Sequence, residues 1–161
     1  MLHQERWCPM NGDTRKVRVF IAGPFFDQEQ IARIQRLENA LSRNPQVAEF
    51  YSARLHPNQQ YPWGSKEWRK VVFNFNLSAL RRADVVVAIH DYEGKSTDSG
   101  TAFELGYAYA YQKPIILIKE KESVPNLMLI ESLHAYFTNV DSMATYNFIR
   151  MPAYPYEGPL I

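Results

Sequence analysis

Cysteine occurs once in these 161 residues, as Cys8, so no internal disulfide can form, and such usage suits a reducing compartment. No apolar run approaches the length of a membrane span, and the amino terminus lacks the hydrophobic stretch of a secretory signal. The expectation is a soluble, cytoplasmic protein with no membrane partner. A net charge of +1 without a basic stripe gives no reason to expect a nucleic acid or another polyanion as partner. No Gly-x-Gly-x-x-Gly follows the first expected strand and no Walker-type Gly-Lys-Ser occurs, which leaves dinucleotide and triphosphate binding unsupported. His3, His56, His90 and His134 are scattered without ligand spacing, so no metal site is expected. Internal repeats and low-complexity segments are missing too.

What is plentiful is aromatic. Phe, Trp and Tyr make up 14% of the chain, a share that serves a stacking pocket for a flat ligand or, equally, a large core or a subunit interface. Residues 1–14 are polar and turn-rich apart from Trp7 and Cys8, and read as a loose extension ahead of a single domain over residues 15–161. Val17 to Ala22 reads as a first strand, nearly continuous in its apolar half, as a strand covered on both faces should be. Gly23-Pro24 breaks it. Asp27 with Gln30 makes a capping-box pattern, and Ile31, Ile34, Leu37 and Leu41 repeat at helical spacing until Asn44-Pro45. A short strand, Val47 to Tyr51, leads into a loop from Ser52 to Gly64 that holds Pro57, Asn58 and Pro62. Ser65 to Ala83 fits a helix capped by Ser65, with Trp68, Val72, Phe75 and Ala79 on one face. Strands follow at Asp84 to Ile89 and Pro114 to Ile118. A short helix over Asn126 to Leu133, a last strand over Ala135 to Val140 and a last helix over Ser142 to Ile149 complete the pattern. Asp84 reads as a salt-bridge or turn residue, His134 as a satisfied structural histidine, and Tyr107, Tyr109 and Tyr111 as packing. Strands alternating with helices imply an α/β fold: a three-layer sandwich with a mainly parallel five-stranded sheet, flavodoxin/Rossmann-like.

The stretch from Thr97 to Ala108 organises the rest. It follows a strand and the polar loop His90 to Ser96, so its start lies at the carboxyl edge of the sheet, where open α/β folds bind ligands. Thr97, Asp98 or Ser99 can cap the helix that begins there. Glu104 then lies less than two turns inside, flanked by Ala102, Leu105 and Ala108. A carboxylate among such neighbours is costly unless it is hydrogen-bonded or has chemical work. Two readings stay open: a satisfied structural acid or exposed helix residue, and a functional group. Asp98 and Glu104, with the amides of Gln59, Gln60, Asn76 and Asn126 able to converge on them, have the layout for cleaving a glycosidic bond. One carboxylate stays ionised to attack the anomeric carbon while the other keeps or relays a proton for the leaving group. The loop after the first strand, Gly23 to Asp27, has no Lys or Arg; it is a poor phosphate cradle and a better apolar wall.

Phe20-Ile21-Ala22-Gly23-Pro24-Phe25-Phe26, the helix entry Gly64-Ser65-Lys66-Glu67-Trp68-Arg69, Ala83-Asp84-Val85-Val86, the block Asp98 to Gly106, and Asn126-Leu127-Met128 resemble, in that order, the nucleoside 2-deoxyribosyltransferases. The likeness runs from about residue 17 to the carboxyl end and includes Tyr156-Glu157-Gly158. The resemblance implies transfer of 2-deoxyribose between purine or pyrimidine bases in nucleoside salvage, by a ping-pong route through a deoxyribosyl-enzyme ester, with no cofactor. It puts Glu104 at the nucleophile and Asp98 at the acid that helps protonate the departing base. Gln59 or Gln60 falls at the base-contacting glutamine, without a choice between them. Asn126 and Met128 match residues lent to the neighbouring subunit's pocket, where Asn126 would hold the sugar 5′-hydroxyl, and Ile161 would supply the terminal carboxylate near the site. Phe20, Gly23, Phe25, Asn76 and Gly100 complete the expected substrate-binding set. The implied partners are deoxynucleosides, free bases and further copies of the chain, as a dimer or a hexamer built from dimers.

Two positions depart from that pattern. Asn76 stands where most relatives have an aspartate, and an amide cannot donate a titrating proton. Phe20 stands where relatives have a tyrosine whose hydroxyl touches the nucleophile, and losing that donor is expected to raise the pKa of Glu104. The chemistry is otherwise coherent. A 2-deoxy sugar lacks an electron-withdrawing hydroxyl, so its oxocarbenium forms more readily, and Phe25, Phe26 and Trp63 could stack on the base or exclude water. The alternatives are a hydrolase of deoxynucleosides or their 5′-monophosphates, which would need a phosphate grip that Gly23 to Asp27 does not offer, and a non-catalytic nucleotide-binding α/β module, toward which Asn76 points.

Overall fold

Strand β1 (Val17–Ala22) sends Val17, Val19 and Ile21 to one face of a sheet and Phe20 and Ala22 to the other, and β3 (Val85–Ile89) divides Val85, Val87 and Ile89 from Val86 and Ala88 in the same way. Both sets are buried, so these strands are apolar on both sides and must be covered on both sides. The computed structural model describes residues 15–94 and 96–161; His3, Trp7, Cys8 and the rest of the expected extension lie outside the described residues. With β2 (Val47–Ser52), β4 (Ile115–Ile118) and β5 (Ala135–Phe137) the strands form one sheet in the order β2-β1-β3-β4-β5, every neighbouring pair parallel. This is the flavodoxin-like strand order, and it bears out the expected parallel α/β sandwich.

Helix α1 (Gln28–Arg43) covers the first face with Ile34, Leu37, Ala40 and Leu41, joined by Val140, Met143, Tyr146 and Phe148 from the segment after β5. On the second face lie α2 (Lys66–Arg82), α3 (Ser99–Ala110) and the short α4 (Leu127–Glu131). The expected apolar stripe of α2 is buried only at its end, at Ala79 and Leu80; Phe75 turns instead onto the rings of Tyr51 and His56.

The helix ends follow local chemistry. Asp27 accepts from the Gln30 N–H at 2.8 Å, and the Gln30 side chain accepts from the Phe26 N–H at 2.8 Å, a reciprocal cap reaching one residue further back than the usual box. Ser65 caps α2 through the Trp68 N–H at 3.1 Å. Helix α3 closes in a Schellman motif: the Gln112 N–H reaches the Tyr109 carbonyl and the Lys113 N–H the Ala108 carbonyl, each at 2.9 Å, with Gln112 at φ 55°. The Lys113 ammonium donates to the carbonyls of Arg81 (2.9 Å) and Ala83 (2.7 Å), at the end of α2 where a cation suits the helix dipole. Asp84 takes the Arg18 N–H at 2.9 Å and its guanidinium at 3.2 Å, which makes it the salt-bridge residue expected. His134 donates from Nε2 to the Met151 carbonyl at 2.7 Å.

The last expected helix, Ser142 to Ile149, does not form. The chain makes a 3-10 turn at Val140–Ala144 and then further turns. Asn44 on the opposite side of the core donates from Nδ2 to the carbonyls of Met143 (2.8 Å) and Tyr146 (2.9 Å), which are acceptors a helix would need. Asn147 meanwhile turns its own Oδ1 to the N–H groups of Ile149 and Arg150, the competing local bond that such residues favour. Strand β5 also stops at Phe137 rather than Val140, because the Val140 N–H is taken by the Glu120 carboxylate at 3.0 Å.

Gln112 occupies a left-handed position that glycine adopts without steric cost. Gln112→Gly should therefore stabilise the protein by about 1 kcal/mol, read as a rise in the urea midpoint with an unchanged slope.

Candidate active site

Strands β1 and β3 are neighbours whose chains leave in opposite directions across the sheet, so the loops after them open a crevice at the carboxyl edge. Helix α3 starts at that edge. Of the three candidate caps it is Asp98 that serves, its Oδ2 accepting from the Thr101 N–H at 2.9 Å and the Thr101 hydroxyl at 3.2 Å. A Cβ on Gly100 would stand 3.0 Å from that same oxygen, which gives the glycine a steric reason beside the cap.

Glu104 is partly buried, and its carboxyl makes no hydrogen bond among the described residues. Its carboxyl is pushed up from 4.5 to about 8, first by burial and then by the negative charge of Asp98. Burial and Asp98 cause this rise, and the lack of a hydroxyl on Phe20 is not among its causes. The reading of Glu104 as a satisfied structural acid has no hydrogen bond to rest on.

The wall beside this carboxyl is aromatic. Phe20, fully buried, stacks on Tyr51 with ring centroids 5.4 Å apart and planes at 19°, and Tyr51 stacks in turn on His56 at 4.9 Å and 6°. The Tyr51 hydroxyl donates to Oδ1 of Asn76 on α2 at 2.6 Å. Burial, and then the charge of Glu104, push the Tyr51 phenol up to about 12. Nothing in the local sequence pattern marks Tyr51. Only the parallel register, in which Tyr51 lies opposite Phe20, brings it here.

The other expected residues divide into groups. A Cβ on Gly23 would come 3.0 Å from Ile34 Cδ1 and 3.1 Å from Ile89 Cβ, so the close approach of α1 to the end of β3 accounts for that glycine. Phe25 packs on the core and against Phe26, which is exposed and meets Tyr92 edge-on at 6.0 Å. Gln59 and Gln60 are exposed on the loop before α2; the Trp68 indole ties that loop to the helix through the Asn58 carbonyl at 3.3 Å. Trp63, 86% exposed, lies beside Trp68 with ring centroids 5.8 Å apart.

Asn126, Met128 and Ile161 do not join Glu104. They line a cavity of about 540 Å³ together with His90, Thr97 and Ser132, bordered by Ala102, Gly106 and Tyr109 of α3. Asn126 caps α4 through the Met128 N–H at 2.9 Å, and Ile161 pairs by its backbone with Leu127 and Pro125. Met128 is 72% exposed. Among the described residues no group of three or more His, Cys, Asp or Glu side chains is placed to hold a metal ion.

An open parallel sheet, with an acid pair on the helix that leaves its switch point, is an α/β architecture that binds its ligand at the carboxyl edge. Residues 19–139 match the family model described as nucleoside 2-deoxyribosyltransferase. The chain is 30% identical over 154 residues to a nucleoside deoxyribosyltransferase of Limosilactobacillus fermentum, with 86% of this chain and 90% of that protein covered. It is similar to the solved 2-deoxyribosyltransferase of Bacillus psychrosaccharolyticus, with a TM-score of 0.78, 33% identity, and 86% of this chain and 98% of that one covered. A CMP N-glycosidase from Clostridium botulinum shares the fold alone, with a TM-score of 0.52 at 21% identity over 78% of this chain and 95% of that one. The chain belongs to the nucleoside 2-deoxyribosyltransferase family, which sets it among the pentosyl-transferring enzymes.

The carboxyl of Glu104 links stability to pH with a definite sign. Between about 4.5 and about 8 the folded protein keeps a proton that the unfolded chain has released, so stability falls as pH rises through that window. Glu104→Gln removes this loss. Its stability over the parent should grow from near zero in acid to ~2–4 kcal/mol above the folded-state pKa, measured by urea unfolding across a pH series.

Proposed function

We propose that this protein exchanges the base of a 2-deoxynucleoside for another base by two displacements at one sugar carbon. The observation that carries the reading is Glu104, a carboxyl at the ligand-binding edge with no hydrogen bond among the described residues and with Asp98 close enough to raise its pKa. In the first displacement the single proton that the acid pair holds stands on Asp98, and the freed Glu104 oxygen attacks C1′ and forms an ester. The C1′–N bond breaks, its electron pair leaves with the base, and Asp98 donates the proton the base takes up. In the second, a ring nitrogen of the incoming base attacks C1′, the ester electron pair returns to Glu104, and the proton lost by that nitrogen goes back to Asp98. Two carboxyls in unlike settings can divide the roles of nucleophile and acid.

The aromatic side chains near the edge support a flat substrate. Phe26 and Trp63 expose large rings that can stack on a base and keep water from the ester. Asn76 supplies a neutral hydrogen-bonding group to the base or a sugar hydroxyl, and Gln59 or Gln60 a second from the facing loop. Asn126, Met128 and Ile161 line a cavity whose walls do not include Glu104, which supports a part in a neighbouring copy's site and hence a homo-oligomer. Exchange of this kind serves nucleoside salvage in the cytoplasm.

The direct test is to incubate the protein with deoxyinosine and free adenine and look for deoxyadenosine. Transfer supports the reading; free base and deoxyribose without transfer make the protein a hydrolase, and no turnover makes it a binding module. Glu104→Ala should lower both exchange and hydrolysis by ~10³-fold or more, and a retained rate would require another nucleophile. Because departure of the base needs the one proton that the acid pair holds, kcat/KM should fall as pH rises through about 8, where that last proton is lost.

A further inference from the structure

Tyr51 stands outside the acid pair, yet its placement is the most constrained at the site. Its ring is held between Phe20 and His56 and flanked by Phe75 at 5.7 Å, so its hydroxyl has one direction available. That direction ends on Asn76 Oδ1 at 2.6 Å. No other hydrogen bond engages the Asn76 side chain among the described residues, so its Nδ2 group, on a partly exposed residue, is open to a ligand.

We infer that Tyr51 is a positioning residue whose hydroxyl pins the Asn76 carboxamide with Nδ2 as its presented group, so that the site favours a base edge carrying a hydrogen-bond acceptor. The inference rests on the exchange reading above for its substrate class. A free carboxamide offers a donor and an acceptor and can turn to suit either an oxo or an amino edge. Pinned through Oδ1 it offers donors alone. Burial and the charge of Glu104 keep the proton on the Tyr51 phenol, which holds it as the donor of the pair. An oxo base meeting Nδ2 gains a hydrogen bond, while an amino base there leaves two donors facing each other. A difference of one hydrogen bond corresponds to a preference of about threefold to tenfold.

Tyr51→Phe keeps the ring and its stacking and removes only the hydroxyl. The quantity to measure is the ratio of hypoxanthine to adenine within each variant, which does not depend on the fraction folded. It is taken both as kcat/KM for the incoming base and as equilibrium affinity by calorimetry. In Tyr51→Phe the ratio should fall about threefold to tenfold. In Asn76→Ala the same preference should be gone, and adding Tyr51→Phe should change the ratio no further. An unchanged ratio in Tyr51→Phe overturns the inference, and a rise means the carboxamide is held the other way round. An equal fall with and without Asn76 means that Tyr51 acts without it, which also overturns the inference. If the parent protein binds both bases but exchanges neither, the exchange reading fails and the affinity ratio alone decides the role of Tyr51. Failure to bind either base sinks both.

Discussion

The insertion of β1 between β2 and β3, parallel to both, is the constraint on which the rest of the molecule depends. It sends the loops after all three strands to one edge and lays Phe20 between Tyr51 on one side and Val86 on the other. Side chains alternate along a strand, so a slip of β2 by one residue would turn Tyr51 away and bring round Phe50, which now packs on the opposite face. The aromatic wall beside Glu104 is therefore a product of register.

Three acids embedded in the fold show what sets Glu104 apart. Glu38 is buried on α1, but its carboxylate receives the Ser52 hydroxyl at 2.7 Å and the guanidinium of Arg54. Asp91, buried at the end of β3, accepts the N–H groups of Glu120 (2.7 Å) and Lys121 (3.1 Å) and so clips β3 to β4. Both are satisfied, and both are structural. Glu104 has burial and a neighbouring negative charge with neither donor nor cation to offset them. A fold that supplies partners to its other embedded acids and withholds them from this one leaves it ready for an incoming ligand.

Much of this was legible in the residues. The strands announced themselves as short apolar runs because both faces are covered, and Asp27, Ser65 and Asp98 marked helix starts through local bonds that need no tertiary contact. The acid pair was legible for the same reason, since a strand, a loop and a capped helix fix where Asp98 and Glu104 emerge. What could not be read depends on partners distant in sequence. Asn44 draws the Met143 and Tyr146 carbonyls out of a helix from across the core. Glu120 ends β5 early, and the Phe20–Tyr51 stack exists only after β1 and β2 have paired. Gly23 and Gly100, which the resemblance makes substrate contacts, each have a packing reason besides, in Ile34 and Ile89 and in room for the Asp98 carboxylate, and that depends on partners the sequence does not place.

The ammonium of Lys113, seated on the last carbonyls of α2 from just past the end of α3, has a mechanical meaning. Both helices start at the ligand edge and run down the same face of the sheet, so this tether fastens them at the far end, and the rings of Phe73 and Phe103, 5.9 Å apart, join them again beside Glu104. The two helices are thus joined on either side of Asn76 and Glu104, which ties the breadth of the mouth to the packing between them.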